Sequence, residues 1–304
     1  METPTYDIIV IGGGPAGMTA AIYARRASKT VLVLEATACG GQIINTPDIE
    51  NYPAEAHISG FDFANKLYEQ AKALGAEFKF ERALSLRDGG LKTVLTKKNS
   101  YAARAVIIAT GSENRRLGLE NEDRLIGRGI SYCANCDGAF FRKKTVAVAG
   151  GGNTALEDAL YLADIAEKVY LIHRRDAFRA EESTVSRVLE RENVEPVLNS
   201  VVTELRFDKK LTAVVTRDRQ GNERELAVDG LFVAVGRTPE NQNFAQLIAL
   251  DSAGYAIAGE DCRTKTAGIF VAGDNRTKDV RQLVTATADG AVAAAGAIRY
   301  INEN

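Results

Sequence analysis

Residues 6–35 read YDIIVIGGGPAGMTAAIYARRASKTVLVLE, and residues 144–173 read KTVAVAGGGNTALEDALYLADIAEKVYLIH. Each sets a strand-length apolar run against a glycine cluster, then a helix-length stretch, then a second apolar run. One polar residue closes each, Glu35 in the first and His173 in the second. The interval from Gly12 to Glu35 equals that from Gly150 to His173, so the chain carries an internal repeat. The apolar runs lack polar alternation, which predicts parallel strands buried on both faces. Further runs at 105–109, 231–235 and 268–272 add strands to the set. Phe63, Leu67, Ala71 and Leu74 repeat at helical spacing, with Gly75 where a C-terminal cap belongs. Strand, helix, strand order predicts an α/β fold built from two Rossmann-like dinucleotide-binding domains.

The whole chain has 304 residues, enough for about two domains with cores of their own. Its polar stretches at 112–129 and 236–246 bracket the second repeat and read as linkers. The strand at 268–272 and the Ala-rich helix after Arg281 would then return to the first domain. The expected organisation is an interrupted first domain, 1–114 and 244–304, with a second domain, 115–243, inserted into it. Charged residues make up 26% and balance to −2, which offers no field for nucleic acid or an anionic membrane. No apolar run reaches the length of a membrane span, and four cysteines are too few for a disulfide-stapled secreted scaffold. A cytoplasmic location is the expectation.

The first loop, Gly12, Gly14 and Gly17, has the spacing that lets backbone approach a pyrophosphate at a helix N-terminus, with Pro15 and Ala16 opening that helix. Glu35 stands where a carboxylate accepts hydrogen bonds from a ribose. The second loop repeats the pattern with Gly150, Gly152, Asn153, Thr154 and Ala155. In the register of Glu35 it places His173, followed by Arg174, Arg175 and Arg179. A carboxylate there would repel a 2′-phosphate, whereas guanidinium groups bind one, so this loop selects NADPH over NADH. Two dinucleotide sites on one chain call for one nicotinamide and one flavin, since a hydride needs an acceptor that stays bound. Cys133 and Cys136 form a C-x-x-C pair, either a redox disulfide or half of a zinc site. Zinc would need two more nearby ligands, and Cys39, Cys262, His57 and His173 are isolated singles, so no metal is expected. Asp137 follows the pair directly and is placed to relay protons to a thiolate. Cys39 and Cys262 read as inert thiols.

The segment Ser131-Tyr132-Cys133-Ala134-Asn135-Cys136-Asp137-Gly138 resembles the active-site segment of the low-molecular-weight thioredoxin reductases. The resemblance runs along essentially the whole chain, through both glycine loops, Gly40-Gly41-Gln42, Glu50-Asn51-Tyr52-Pro53, Ala109-Thr110-Gly111, Gly236-Arg237-Thr238-Pro239, Gly273-Asp274 and Arg281-Gln282. It implies FAD contacts from the first loop, Glu35, Gly41, Gln42, Asn51, Thr110, Gly111, Gly273, Asp274, Arg281 and Gln282. It implies NADPH contacts from the second loop, His173, Arg174, Arg175, Arg179 and Gly236. Electrons would pass from NADPH to FAD, to the Cys133–Cys136 disulfide, and on to oxidised thioredoxin or a thioredoxin-like protein disulfide, with Asp137 as acid and base. A homodimer is implied, as is a rotation of the inserted domain that lets disulfide and NADPH take turns at the flavin. Three positions depart from the commoner pattern: Asn135 for Thr or Val, Ala54 for Gly, and Asn275 for a small apolar residue. The same scaffold reducing a peroxiredoxin- or glutaredoxin-like partner is the alternative, as is a ferredoxin-linked reductase, against which the arginine cluster argues.

Overall fold

The first apolar run becomes β1 (Thr5–Ile11), whose Ile8, Ile9 and Val10 are fully buried. The structure is a computed structural model that describes residues 4–46 and 48–304. β1 passes through the glycine turn into α1 (Pro15–Arg26), and β2 (Val31–Glu35) returns parallel to β1, Ile8 opposite Val31. Pro15 suits the start of α1 because its fixed φ is helical and no N–H is needed there. α2 (Gly60–Ala73) begins where the Ser59 hydroxyl accepts the Asp62 N–H at 3.0 Å, and Gly75 follows its end at φ +90°. β3 (Glu77–Phe80) lies parallel to β2, and β4 (Ala83–Arg87), β5 (Lys92–Thr96) and β6 (Ser100–Ile108) form an antiparallel meander. From Ala102 to Ile108, β6 runs parallel to β1.

β7 (Ser112–Asn114) leads into the inserted unit, which opens with α3 (Glu122–Leu125), β8 (Ile130–Ser131) and α4 (Ala134–Asp137). The second repeat follows as β9 (Thr145–Gly150), α5 (Asn153–Ala163) and β10 (Lys168–Ile172), then α6 (Glu182–Leu189) and β11 (Val194–Val197). β12 (Ser200–Phe207), β13 (Leu211–Asp218) and β14 (Glu223–Ala227) make a separate antiparallel sheet. β15 (Gly230–Ala234) completes a parallel sheet in the order β11-β10-β9-β15-β8. The helices cover one face of it, with Leu156, Ala159 and Val188 buried there. The other face holds Ile130, Val214 and Leu231.

β16 (Arg237–Pro239) carries the chain back and pairs with β7. β17 (Ile269–Val271) adds to the first sheet beside β6, and α7 (Leu283–Glu303) packs on α1. Small residues allow that packing: a Cβ on Gly290 would lie 2.2 Å from the Ala16 carbonyl oxygen, and Ala293, Ala294 and Ala297 are fully buried. The two compact units are 1–113 with 238–304, and 114–237. The polar stretches expected as linkers are largely folded. Glu122, Leu125 and Phe244 within them are buried.

Asp289 of α7 gathers a buried ion cluster. Its carboxylate accepts two bonds from Arg276 at 2.7 Å each, one from Lys278 at 2.9 Å, and the Gly273 N–H at 2.9 Å. Burial raises the carboxyl, but the bonds from Arg276, Lys278 and Gly273 outweigh it and hold Asp289 below the usual range. A folded-state value below the unfolded one means the stabilisation is complete above the ordinary carboxylate pKa, about 4, and is lost as pH falls through the lower folded value. Asp289→Asn strands two buried cations and should cost about 3–5 kcal/mol at neutral pH. Calorimetry should show the melting temperatures of wild type and variant converging as the pH is lowered. A gap that stays constant down to acid pH would refute this account.

Candidate functional site

In the first unit the glycine loop is closed by contacts that only glycine permits. Gly12 has φ +109°, and a Cβ there would meet the Ala109 carbonyl oxygen at 2.3 Å; one on Gly17 would lie 1.9 Å from the Gly12 oxygen. Gly14 is different: a Cβ there would touch only Gly41, at 4.0 Å, so its face is open. Gly14 is also the N-cap of α1 and supplies no side-chain cap, which leaves the first-turn N–H groups for an anionic ligand. The Glu35 carboxylate accepts the Gly13 N–H at 2.7 Å and the Thr37 N–H at 2.9 Å, and so is fixed at the loop with lone pairs to spare. Beside it opens a cavity of about 330 Å³, lined by Gly12, Glu35, Arg82, Thr110, Glu240 and Phe244.

The remaining first-unit residues come from several segments of the unit. Gly41 packs on Gly14 at the start of a short 3₁₀ turn that carries Gln42 exposed. Asn51 donates to the Gln282 side chain at 3.2 Å, bringing together residues far apart in sequence. Gln282 also caps α7. Arg281 lies over the Tyr255 ring at 4.2 Å, its buried Nε without a hydrogen-bond partner. Asp274 follows Gly273, whose φ is +90° and whose N–H is held by Asp289. Gly111 has φ +70° with open space at its Cβ position. Thr110 accepts from Asn275, a fully buried amide that also donates to the Ile108 carbonyl and the Asn241 side chain. Cys39 sits against Gly13, its thiol pushed up to about 11 by burial and by Glu35. Cys262 is fully buried, and burial followed by Asp289 pushes it up to about 12. Neither is a poised nucleophile.

In the inserted unit Gly152 repeats the open cradle: nothing lies within 4 Å of its Cβ position, and it caps α5 with no side chain. Gly150 is closed by the Ala234 oxygen at 2.4 Å and by Ala155 at 2.6 Å. Arg179 donates its N–H to the Gly151 oxygen at 2.6 Å, which fastens the arginine loop to the glycine loop. Arg174 and Arg179 are exposed and Arg175 half-buried, and none of the three forms an ion pair among the described residues. Asn153 accepts the Glu181 N–H at 2.9 Å, and Thr154 is exposed. His173 is placed differently from its arginine neighbours. It is buried, a Cβ on Gly151 would sit 2.1 Å from its Nδ1, and Phe178 packs on its ring. Burial lowers its pKa, and the neighbouring arginines reinforce this, so it stands as a neutral support under the loop. The Gly236 carbonyl accepts the Arg115 N–H, at the segment where the chain re-enters.

Cys133 and Cys136 form a disulfide, their Cα atoms 5.3 Å apart. Cys133 is the N-cap of α4, and its carbonyl accepts the N–H groups of Cys136 at 3.3 Å and Asp137 at 3.1 Å. Asn135 is exposed at the tip of the turn. Burial pushes the Asp137 carboxyl above the usual carboxylate range, against the lowering by its bond from Ser131. Two residues that carry no assigned role in the sequence motif anchor the segment. Ser131 bonds Asp137, and Glu122 accepts the Tyr132 hydroxyl at 2.6 Å together with the N–H groups of Leu117, Gly118 and Leu119. Glu122 lies in a stretch that reads as a linker, and no spacing rule singles it out.

Two glycine-loop parallel folds, each ending in an uncapped helix, and a disulfide beside one of them define a dinucleotide-dependent disulfide oxidoreductase. A profile described as "Pyridine nucleotide-disulphide oxidoreductase" matches residues 6–290. The chain belongs to that family, on its thioredoxin reductase branch, and the family's chemistry uses a flavin and a nicotinamide cofactor. It is 44% identical to a thioredoxin reductase of Listeria innocua and 43% identical to one of Bacillus subtilis, in each case over 99% of this chain and 96% of the relative. The crystal structure of thioredoxin reductase from Streptococcus pyogenes is similar at 41% identity and a TM-score of 0.94, with both chains covered completely.

Proposed function

We propose that the chain is an NADPH-dependent thioredoxin reductase, with FAD in the first unit and NADPH in the inserted one. The observation that carries this reading is the Cys133–Cys136 disulfide in the same unit as a glycine loop flanked by three unpaired arginines. The residues fit both groups: Gly14 and Gly152 leave open cradles at uncapped helix N-termini, and Glu35 stands where a ribose hydroxyl would donate. When bound, the nicotinamide supplies a hydride and the flavin relays its two electrons to the disulfide.

The chain's own residues do the rest. Amides at the start of α1 and α5 receive the pyrophosphates, and Arg174, Arg175 and Arg179 clamp the 2′-phosphate. Gly41, Gln42, Asn51, Thr110, Gly111, Asp274, Arg281 and Gln282 complete the flavin site. Reduction of the disulfide yields two thiols. One attacks the partner's disulfide as thiolate, forming a mixed disulfide, and Asp137 gives its proton to the departing sulfur. The Asp137 carboxylate then takes the proton of the second thiol, which attacks the mixed disulfide. The second departing sulfur takes that proton from Asp137, the partner leaves as a dithiol, and Asp137 regains from solvent the proton that the first thiol lost there. Burial suits Asp137 to this, since it keeps the proton on the acid closer to neutral pH. The reading includes a cytoplasmic homodimer, in keeping with the resemblance. No helix among the described residues is long and apolar enough to cross a membrane.

Anaerobic titration of the purified holoprotein tests the reading. NADPH should bleach the flavin band near ~450 nm and consume about four electrons per flavin, two for the ring and two for the disulfide. NADH should do so only at much higher concentration. Oxidised thioredoxin should restore the colour. No bleaching by either nucleotide would overturn the assignment and favour a ferredoxin-linked donor.

A further inference from the structure

Ser131 ends β8, where it pairs with Phe232 of β15 and is buried at 4% exposure. Strand pairing fixes its main chain, and its single hydroxyl reaches both sides of the disulfide turn. Oγ–H donates to Asp137 Oδ2 at 2.6 Å, and Oγ accepts the Cys133 N–H at 3.1 Å. Asp137 Oδ1 is buried with no hydrogen-bond partner. Among the described residues the Ser131 hydroxyl is therefore the one side-chain donor that meets this carboxyl.

The hydroxyl has a second acceptor in reach, the Cys133 carbonyl at 3.2 Å, but the carboxylate is the nearer and the charged one. β15, beside β8, carries no titratable side chain. α5, packed against α4, carries Glu157, Asp158 and Tyr161, and the Tyr161 ring approaches Gly138. None of these hydrogen-bonds to Asp137, and among the described residues no cation pairs with it. Two influences act on the carboxyl: burial, which disfavours the charged form, and the Ser131 hydroxyl, which favours it.

We infer that Ser131 is a positioning residue for the exchange chemistry, its hydroxyl tying the proton-handling carboxyl of Asp137 to the main chain of Cys133. The inference rests on the proposed role of Asp137. As Asp137 gives its proton to the departing sulfur, the carboxylate left behind is received by a hydroxyl already aimed at it, so no reorganisation is needed at that moment. The same hydroxyl holds the Cys133 N–H, so the carboxyl and the disulfide turn keep one spacing through the oxidised and reduced forms.

The test uses holoenzyme labelled with carboxyl-13C aspartate, in wild type, Ser131→Ala and Ser131→Thr. The resonance missing from Asp137→Asn identifies the carboxyl, which is titrated directly. Loss of a hydrogen bond to the charged form should raise its midpoint by about one pH unit in Ser131→Ala. Ser131→Thr, which keeps the hydroxyl, should restore it. The pH profile of exchange between the reduced enzyme and a protein disulfide should shift in the same direction and to the same extent. A merely structural serine would lower stability and leave both midpoints in place, and that result overturns the inference. If Asp137→Asn exchanges at the wild-type rate with an unchanged profile, the role of Asp137 fails first and Ser131's role in the reaction falls with it. If Asp137→Asn is impaired but Ser131→Ala titrates like wild type, Asp137 stands and only the inference about Ser131 is lost.

Discussion

Cys133→Ser and Cys136→Ser are each expected to lower turnover with a protein disulfide on the order of 10⁴-fold, because the two sulfurs act as one unit. Reduction of the partner takes one thiol to attack and another to resolve, and either alone stops the cycle. Flavin bleaching by NADPH should survive in both variants, now consuming about two electrons per flavin rather than about four. The single variants also separate the two sulfurs. The one that keeps the attacking cysteine should accumulate a mixed disulfide with the partner, visible by mass spectrometry, and the other should not. Either variant turning over near the wild-type rate would remove the disulfide from the mechanism. Folding should be little affected, since the turn is held by main-chain bonds to the Cys133 carbonyl and by Ser131.

The second large effect belongs to the arginines. Replacing Arg174, Arg175 and Arg179 together by alanine should raise the KM for NADPH by about 100-fold or more, since each guanidinium–phosphate bond is charge-assisted. The KM for NADH should hardly change, because NADH presents no 2′-phosphate to lose. The preference for NADPH should also weaken as salt rises in wild type, two of the three side chains being exposed, and that salt dependence should vanish in the triple variant. Equal losses with both nucleotides would mean that the arginines hold the loop rather than the phosphate. Nothing in the structure asks for that: the loop is fastened by the Arg179 main chain on Gly151, and among the described residues the three side chains form no ion pair.

Local chemistry made much of this legible in the sequence. Glycines that admit no Cβ, at Gly12, Gly17 and Gly150, mark turns by composition alone, and buried parallel strands such as β1 and β9 show as unbroken apolar runs. The long insertion followed from the repeat and from the last strand and helix. Less visible was what depends on direction rather than residue type. His173 occupies the register of Glu35 and stands among arginines, yet its ring turns inward beneath Gly151. The antiparallel sheet of β12, β13 and β14 is partly exposed and its apolar residues are interspersed with charge, so no run announces it. Glu122 and Ser131 act through hydrogen bonds to main chain and to single side chains, which no periodicity encodes. Asn275 stood out only as a departure from a pattern, and the structure supplies its reason: a buried amide joining β6, Thr110 and Asn241.

The order in which the chain is made does not match the order in which its parts can be completed. The first unit lacks β17 beside β6 and α7 on α1 until the residues after 238 exist, whereas the inserted unit has all its strands by Ala234. A nascent chain can therefore finish the middle of the molecule while the beginning waits, with the small-residue face of α1 uncovered and the later half of β6 an open edge. Folding of the middle shortens that wait, because β7 and β16 pair and draw the two ends of the interrupted unit together before its last helix arrives. The insertion thus acts as a splint during synthesis, and the late-arriving helix is the piece on which solubility of the newborn chain depends.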